Sequence, residues 1–130
     1  MKNSHNVLVE GLQYKEEMIV GEQDLAPNYN LSDLKIMATP ALIAFMERTT
    51  VKLVSGFMKP GRQTVGAEMN VRHLKAALPG EKLSCTAHLK YIDRHILFFD
   101  VAVLNQKHEE IGIGAHIRYI VVTEDFAKRI

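Results

Sequence analysis

Thr39-Pro40-Ala41-Leu42-Ile43-Ala44-Phe45-Met46-Glu47-Arg48-Thr49-Thr50-Val51-Lys52-Leu53-Val54 is the one stretch of the chain that reads as a long helix. Thr39 offers a capping hydroxyl, Pro40 suits the first helical position, where its missing N–H costs nothing, and Ser55-Gly56 supplies the stop. The first half, Ala41 through Met46, is apolar on every side, as in a helix surrounded by other structure. The helix is therefore expected at the centre of the fold.

Almost everything after Gly61 carries period-two patterns rich in β-branched residues and broken by turn chemistry, which is how strands read. From Thr64 to Lys75 the odd positions Val65, Ala67, Met69 and Val71 form an apolar row, with Thr64, Glu68, Asn70 and Arg72 opposite. Pro79-Gly80-Glu81 makes a turn, after which Leu83, Cys85, Ala87, Leu89 and Tyr91 line one face of a second strand. Asp93-Arg94 connects it tightly to a third, Ile96 to Leu104. Asn105-Gln106-Lys107-His108 then turns into a last strand, Glu110 to Thr123, with Ile111, Ile113, Ala115, Ile117 and Tyr119 on one row. Ahead of the helix, Gln13 to Val20 reads as one further strand and Gly21 to Met37 as loop with weak helical potential. This order predicts an α+β fold: four consecutive strands pair as an antiparallel meander, and a curved sheet of about five strands wraps one long central helix.

The 130 residues, 14.7 kDa in mass, suffice for one core and are expected to form one domain, 1–130. Hydrophobic residues at 47% and charged residues at 24% match a globular chain and exclude disordered, collagen-like and coiled-coil classes. A formal charge of +1 provides no net field to gather nucleic acid or an anionic membrane, so neither is an expected partner and an anionic ligand must be held by local cations. The lone Cys85 permits no internal disulfide and no cysteine-based zinc site, which fits a reducing compartment. Met1-Lys2-Asn3-Ser4-His5-Asn6 is polar, and Val7 to Val9 is too brief for a signal peptide's apolar region. No run of about eighteen apolar residues occurs. Cytoplasm is the expected location, where the triplet Asn30-Leu31-Ser32 carries no glycan.

Three polar residues stand in apolar settings. Glu47 shares a helical stripe with Ile43 and Val51 at four-residue spacing. Thr39 lies eight positions earlier, so the two side chains project to the same side, about 12 Å apart along the axis at 1.5 Å per residue. His73 continues the row of Val65, Ala67, Met69 and Val71, which points its imidazole to the core unless a bulge intervenes. Each also has a plain reading: Thr39 as an N-cap, Glu47 as a solvated charge where the helix turns polar at Arg48, and His73 as a satisfied edge or core histidine. Cys85, with no adjacent base, reads as a buried inert thiol. Gly112-Ile113-Gly114 lacks the third glycine and the strand-to-helix context of a dinucleotide site and reads as sheet curvature. His88, His95, His108 and His116 show no ligand spacing, and neither a G-x-S-x-G elbow nor a P-loop is present, so metal and nucleoside-triphosphate chemistry have no support.

Ala38-Thr39-Pro40 at the helix start, Met46-Glu47 within it, Thr64-Val65-Gly66 through Val71-Arg72-His73, the Pro79-Gly80 turn and Gly112-Ile113-Gly114-Ala115-His116-Ile117-Arg118 together carry a resemblance. Over Met37 to Val122 they resemble hot-dog fold proteins of the fluoroacetyl-CoA thioesterase-like branch. The family's threonine, glutamate and histidine match Thr39, Glu47 and His73 in order and spacing, and its glycine near the thioester matches Gly66. The resemblance implies hydrolysis of an acyl-CoA thioester to free acid and CoA by Thr39, Glu47 and His73, with coenzyme A as part of the substrate and no separate cofactor. It also implies homodimers, or dimers of dimers, whose sheets join edge to edge with the site at the interface, so that His73 and Glu47 reach one substrate from different chains. Members that act on fluoroacetyl-CoA carry a phenylalanine-bearing lid ahead of the helix. Here the corresponding Pro27–Asp33 is polar, with Tyr29 its one aromatic, so a general short or medium acyl-CoA is the expected substrate.

On that reading His73, with a reference pKa of about 6.5, serves as base at neutral pH, and Glu47 orients it and stabilises its protonated form. Thr39 supplies the nucleophile, or positions water or the carbonyl; direct attack by water and a covalent acyl intermediate on Glu47 or Thr39 both stay open. The Gly66 N–H contributes an oxyanion contact, because no Cβ blocks the approach of a ligand. Arg72, Lys75, Lys90 and Arg118 are the cations available to CoA phosphates, with Arg118 joining Gly66 as substrate-binding. Two other classes fit the same fold: a non-catalytic acyl-CoA or acyl-carrier binding module, and a 3-hydroxyacyl thioester hydratase or dehydratase, which also pairs a His with an acid. Thr39 at the helix start and the lack of a His-Pro signature weigh against the latter.

Overall fold

The computed structural model describes residues 7–130; the polar start Met1–Asn6, read above against a signal peptide, lies outside the described residues. Five antiparallel strands form one sheet: β1 (Gln13–Ile19), β2 (Arg62–His73), β3 (Lys82–Asp93), β4 (Ile96–Leu104) and β5 (Glu110–Val122). Helix α1 (Thr39–Ser55) packs on one face, and a short α2 (Thr123–Arg129), not anticipated from the sequence, follows β5. No helix among the described residues is long and apolar enough to cross a membrane.

The sheet order is β1-β3-β4-β5-β2, which corrects the expected meander. Only β3, β4 and β5 are joined by tight turns, through Arg94 and His108 in the left-handed region at φ 58° and 63°. Residues 74–81 instead run from one side of the sheet to the other. Leu74 N–H donates to the Ile111 carbonyl at 2.8 Å, and Gly80 N–H donates to the Val20 carbonyl at 2.8 Å. Midway, Ala77 is wholly buried and its carbonyl accepts from Met37 N–H at 2.8 Å. The Pro79-Gly80 turn is only the end of this crossing, which carries the chain from β2, beyond β5, to β3, beside β1.

Leu42, Phe45, Met46, Thr49, Leu53 and Val54 of α1 are buried against the sheet, where they meet Leu83, Ala87, Leu97, Phe99 and Val103. Each large apolar side chain so buried contributes on the order of 1.5–3 kcal/mol. The buried hydroxyls of Thr49 and Thr50 are satisfied by the carbonyls of Phe45 at 2.8 Å and Glu47 at 2.7 Å. The helix is not covered all round, as its sequence suggested. Ile43, Ala44 and Glu47 are half-buried, and Arg48, Val51 and Lys52 are exposed along one stripe.

Bulges decide which residues face the helix. Between Gly66 and Glu68 the pairing of β2 with β5 slips by one, so Ala67 is the extra residue and is exposed. Thr64 and Gly66 thereby join Met69, Val71 and His73 on the helix side, and Val65 and Ala67 leave the expected apolar row. A second bulge between Leu89 and Tyr91 keeps Leu83, Cys85, Ala87 and Leu89 inside as expected but turns Tyr91 out, to 52% exposure, where its ring meets Phe98. In β5, Ile111 alone of its apolar row enters the core. Ile113, Ala115, Ile117 and Tyr119 lie on the outer face, so Gly112, Gly114, His116 and Arg118 are the residues that face α1.

Candidate active site

The first polar group forms where α1 begins. The helix starts at Thr39 itself, Pro40 takes the second position, and Ala38 is an N-cap with no side-chain hydrogen bond. The Thr39 hydroxyl therefore does not cap the helix. Thr39 Oγ1 lies 2.8 Å from Nδ1 of His73, the last residue of β2. His73 pairs with Gly112, where an added Cβ would stand 2.7 Å from Leu42 Cδ2, so the imidazole is on the helix side of the sheet. Among the described residues, His73 Nε2 is buried without a hydrogen-bond partner. Burial lowers the His73 pKa below its ordinary value, against the Lys75 backbone, which favours the protonated ring. In the neutral tautomer with Nδ1 unprotonated, a ring so placed can accept a hydrogen bond from the Thr39 hydroxyl, the arrangement a general base requires.

The second group forms two turns further along α1, where the helix passes β2 and β5. Arg118 is 6% exposed and donates from Nε to Thr64 Oγ1 at 2.9 Å, from Nη2 to the Thr64 carbonyl at 3.1 Å, and from Nη1 to Glu47 Oε2 at 3.1 Å. His116, 2% exposed, has Nδ1 2.7 Å from the Glu68 carbonyl and Nε2 3.1 Å from Arg118 Nη1. A buried guanidinium costs several kcal/mol unless paired and hydrogen-bonded. Burial depresses the Arg118 pKa, while the Glu47 carboxylate pulls it back up. An added Cβ on Gly66 would stand 2.6 Å from Glu47 Oε2, so this glycine makes room for the carboxylate. Ala44, Glu47, Arg48, Val51, Lys52 and Arg118 line an open depression of about 410 Å³ beside it.

These contacts revise several expectations. Within one chain His73 is oriented by Thr39 and not by Glu47, whose partners are Arg118 and His116. The space above Gly66, expected to admit a ligand, holds the Glu47 carboxylate. Arg118 is no surface cation, whereas Arg72, Lys75 and Lys90 are exposed, with Lys75 beside Glu109 at 3.8 Å and Lys90 beside Asp100 at 3.3 Å. His116 shows no metal-ligand spacing in the sequence. Its signal there is the two-residue step from Arg118, which puts both on one face of β5. Cys85 is buried and its thiol is pushed up to about 11 by burial, as an inert thiol should be. Among the described residues, no three His, Cys, Asp or Glu side chains gather as a metal site. A depression of about 500 Å³ between Asn70, His88, Asp100 and Ala115 lies on the opposite face of the sheet, remote from both polar groups.

One helix laid across a five-stranded antiparallel sheet, with its polar groups gathered where helix, β2 and β5 meet, is a hot-dog fold. The sequence profile of FlK, the fluoroacetyl-CoA-specific thioesterase, matches residues 20–124, and the chain belongs to that family. It is 27% identical over 96 residues to the fluoroacetyl-CoA thioesterase of Streptantibioticus cattleyicolor, covering 74% of this chain and 68% of that protein. Its structure is similar to a crystal structure of a FlK variant in complex with fluoroacetate and CoA, with a TM-score of 0.85, 24% identity, and coverage of 92% of this chain and 99% of that one. A hot-dog-like protein from Thermanaerovibrio acidaminovorans superposes with a TM-score of 0.84 at 21% identity, covering 99% and 94% of the two chains.

Proposed function

We propose that residues 1–130 act as one catalytic unit that hydrolyses the thioester of a short or medium acyl-CoA, with Thr39, His73 and Glu47 as its catalytic residues. The observation that carries this reading is the 2.8 Å contact of Thr39 Oγ1 with His73 Nδ1, in a chain of a thioesterase family. His73 takes the Thr39 proton as Oγ1 attacks the thioester carbonyl carbon. The C–S bond then breaks, and the CoA sulfur leaves with the proton from His73. Water attacks the acyl-threonine next, giving its proton to His73, and the ester bond breaks to release free acid as Thr39 recovers its hydrogen.

Glu47, seated by Arg118 over Gly66, meets the same substrate from a second chain. Supporting this is the position of β2, twelve residues long and, among the described residues, hydrogen-bonded on one side only, to β5. A free strand edge of that length is a surface for pairing with its own copy. Gly66 and Arg118, the residues proposed to bind the substrate, also hold Glu47 in place. The FlK variant's complex with fluoroacetate and CoA supports a CoA ester as the substrate class. The loop ahead of α1 presents Tyr29, Leu31 and Leu34, 39%, 60% and 64% exposed, but no phenylalanine, which favours a general acyl group over fluoroacetyl. The test is thiol release from acetyl-, fluoroacetyl-, medium-chain and aryl-CoA. Turnover is expected with short or medium chains; tight binding of acyl-CoAs without thiol release would make the chain a binding module and overturn the proposal.

A further inference from the structure

We infer that His116 is the positioning residue of the Glu47 carboxylate: as a neutral ring protonated at Nδ1, it holds the Arg118 guanidinium in the one orientation that aims Nη1 at Glu47. The inference rests on the thioesterase reading for its kinetic consequence, but the ring's protonation state follows from contacts alone. A backbone carbonyl only accepts, so the 2.7 Å contact of Nδ1 with the Glu68 carbonyl puts the hydrogen on Nδ1. A guanidinium nitrogen only donates, so the 3.1 Å contact of Arg118 Nη1 with Nε2 makes Nε2 the acceptor. Both demands are met by a single neutral tautomer.

Arg118 Nη1 carries two hydrogens, and the geometry uses both: one to Glu47 Oε2 at 3.1 Å and one to His116 Nε2 at 3.1 Å. Thr64 takes the other side of the fork through its hydroxyl and carbonyl. The guanidinium is thus held from three directions, by β2, by β5 and by α1. An imidazolium at 116 would set an N–H against Nη1 and offer itself to Glu47, whose Oε2 is already 3.5 Å from Nε2, so the carboxylate would change partner. The groups that face the ring are Arg118 and Glu47, together with the Glu68 carbonyl and the Phe99 ring, 6.2 Å away between centroids. Burial and the Arg118 charge lower the His116 pKa, and the Glu68 carbonyl and Glu47 charge oppose them. The bulge at Ala67 lies between Gly66, over which Glu47 is seated, and Glu68, whose carbonyl holds His116.

The test combines long-range proton–nitrogen correlation spectra of the imidazole with kinetics of His116→Phe and His116→Gln. The folded wild-type protein at pH 7.5 is expected to show a protonated Nδ1 and a bare Nε2. His116→Phe keeps the shape against Phe99 but accepts nothing from Nη1, and its kcat is expected to fall roughly tenfold or more, as for loss of other outer-shell partners. His116→Gln, whose amide both donates and accepts, is expected to restore kcat to within about threefold. A ring protonated at Nε2, or on both nitrogens, overturns the inference whatever the activity. Folded His116→Phe with wild-type kcat, or His116→Gln no better than His116→Phe, overturns it as well. If the wild type turns over no acyl-CoA, the thioesterase reading fails and the nitrogen spectrum alone decides the orientation of Arg118.

Discussion

Two histidines occupy the two polar groups, and both are held in the neutral form by burial, which lowers their folded-state pKa values. The unfolded chain, with its histidines at about 6.5, binds more protons than the folded chain as pH falls through that value. Stability contributed by these residues is therefore complete above about pH 6.5 and is lost as pH falls towards the folded-state values. Calorimetry is expected to show Tm falling between pH 7.5 and 5.5; a Tm that stays level or rises over that interval contradicts the neutral assignment of both rings. Thr39, Glu47 and His73 were visible in the sequence as polar residues in apolar settings, but their partners were not. The plain reading of Thr39 as a cap fails because Ala38 already stands in the capping position, while His73, 34 positions away, arrives at hydrogen-bond distance only through the packing of β2 against α1. Arg118 stood out in the sequence as a substrate-binding cation, but its burial and that of His116 did not. The row of Ile113, Ala115, Ile117 and Tyr119 has the look of a core face, and reading it so sends both polar residues to solvent.

At the scale of elements, α1 was legible in its bounds to within a residue, because helix chemistry is local. Gly112 and Gly114 of β5 let it settle on the sheet, since an added Cβ on either would stand within 3.5 Å of the Met46 side chain. The strands were legible in number and alternation, and most of β3 in face, but β2 and β5 were not legible in face: the bulges between Gly66 and Glu68 and, opposite Val103 and Leu104, at Ile111 each shift the alternation by one residue and leave no composition signal. The bulge in β2 has the largest consequence for the site, for it brings Gly66 under Glu47. Gly66→Ala is expected to fold with an unchanged circular dichroism spectrum, because the nearest obstruction is the movable Glu47 carboxylate at 2.6 Å and not backbone. The displaced carboxylate loses Arg118, and kcat is expected to fall roughly tenfold or more. Wild-type kcat in Gly66→Ala would mean that the seat of Glu47 is irrelevant to the reaction.

For the whole molecule, the sheet ends in two strands of unlike character. β1, seven residues long, ties its edge to α1 through Glu16 and Lys52, 2.5 Å apart, whereas β2, twelve residues long, brings Gly66 and His73 to its own edge. The sheet order was not legible because it depends on residues 74–81 crossing the fold, where short connections suggested neighbours in sequence order. In the proposed shared site, β2 pairs with its copy and the Thr39–His73 pair of one chain shares a cleft with Glu47 of the other. Light scattering is expected to return twice the chain mass of 14.7 kDa, and a monomer that hydrolyses acyl-CoA would refute the shared site. Thioester hydrolysis by the Thr39–His73 pair is tested by thiol release on the best acyl-CoA of the panel, comparing wild type with His73→Ala. A loss in kcat of roughly 100-fold or more is expected for the folded variant; turnover unchanged from wild type would remove His73 from the reaction.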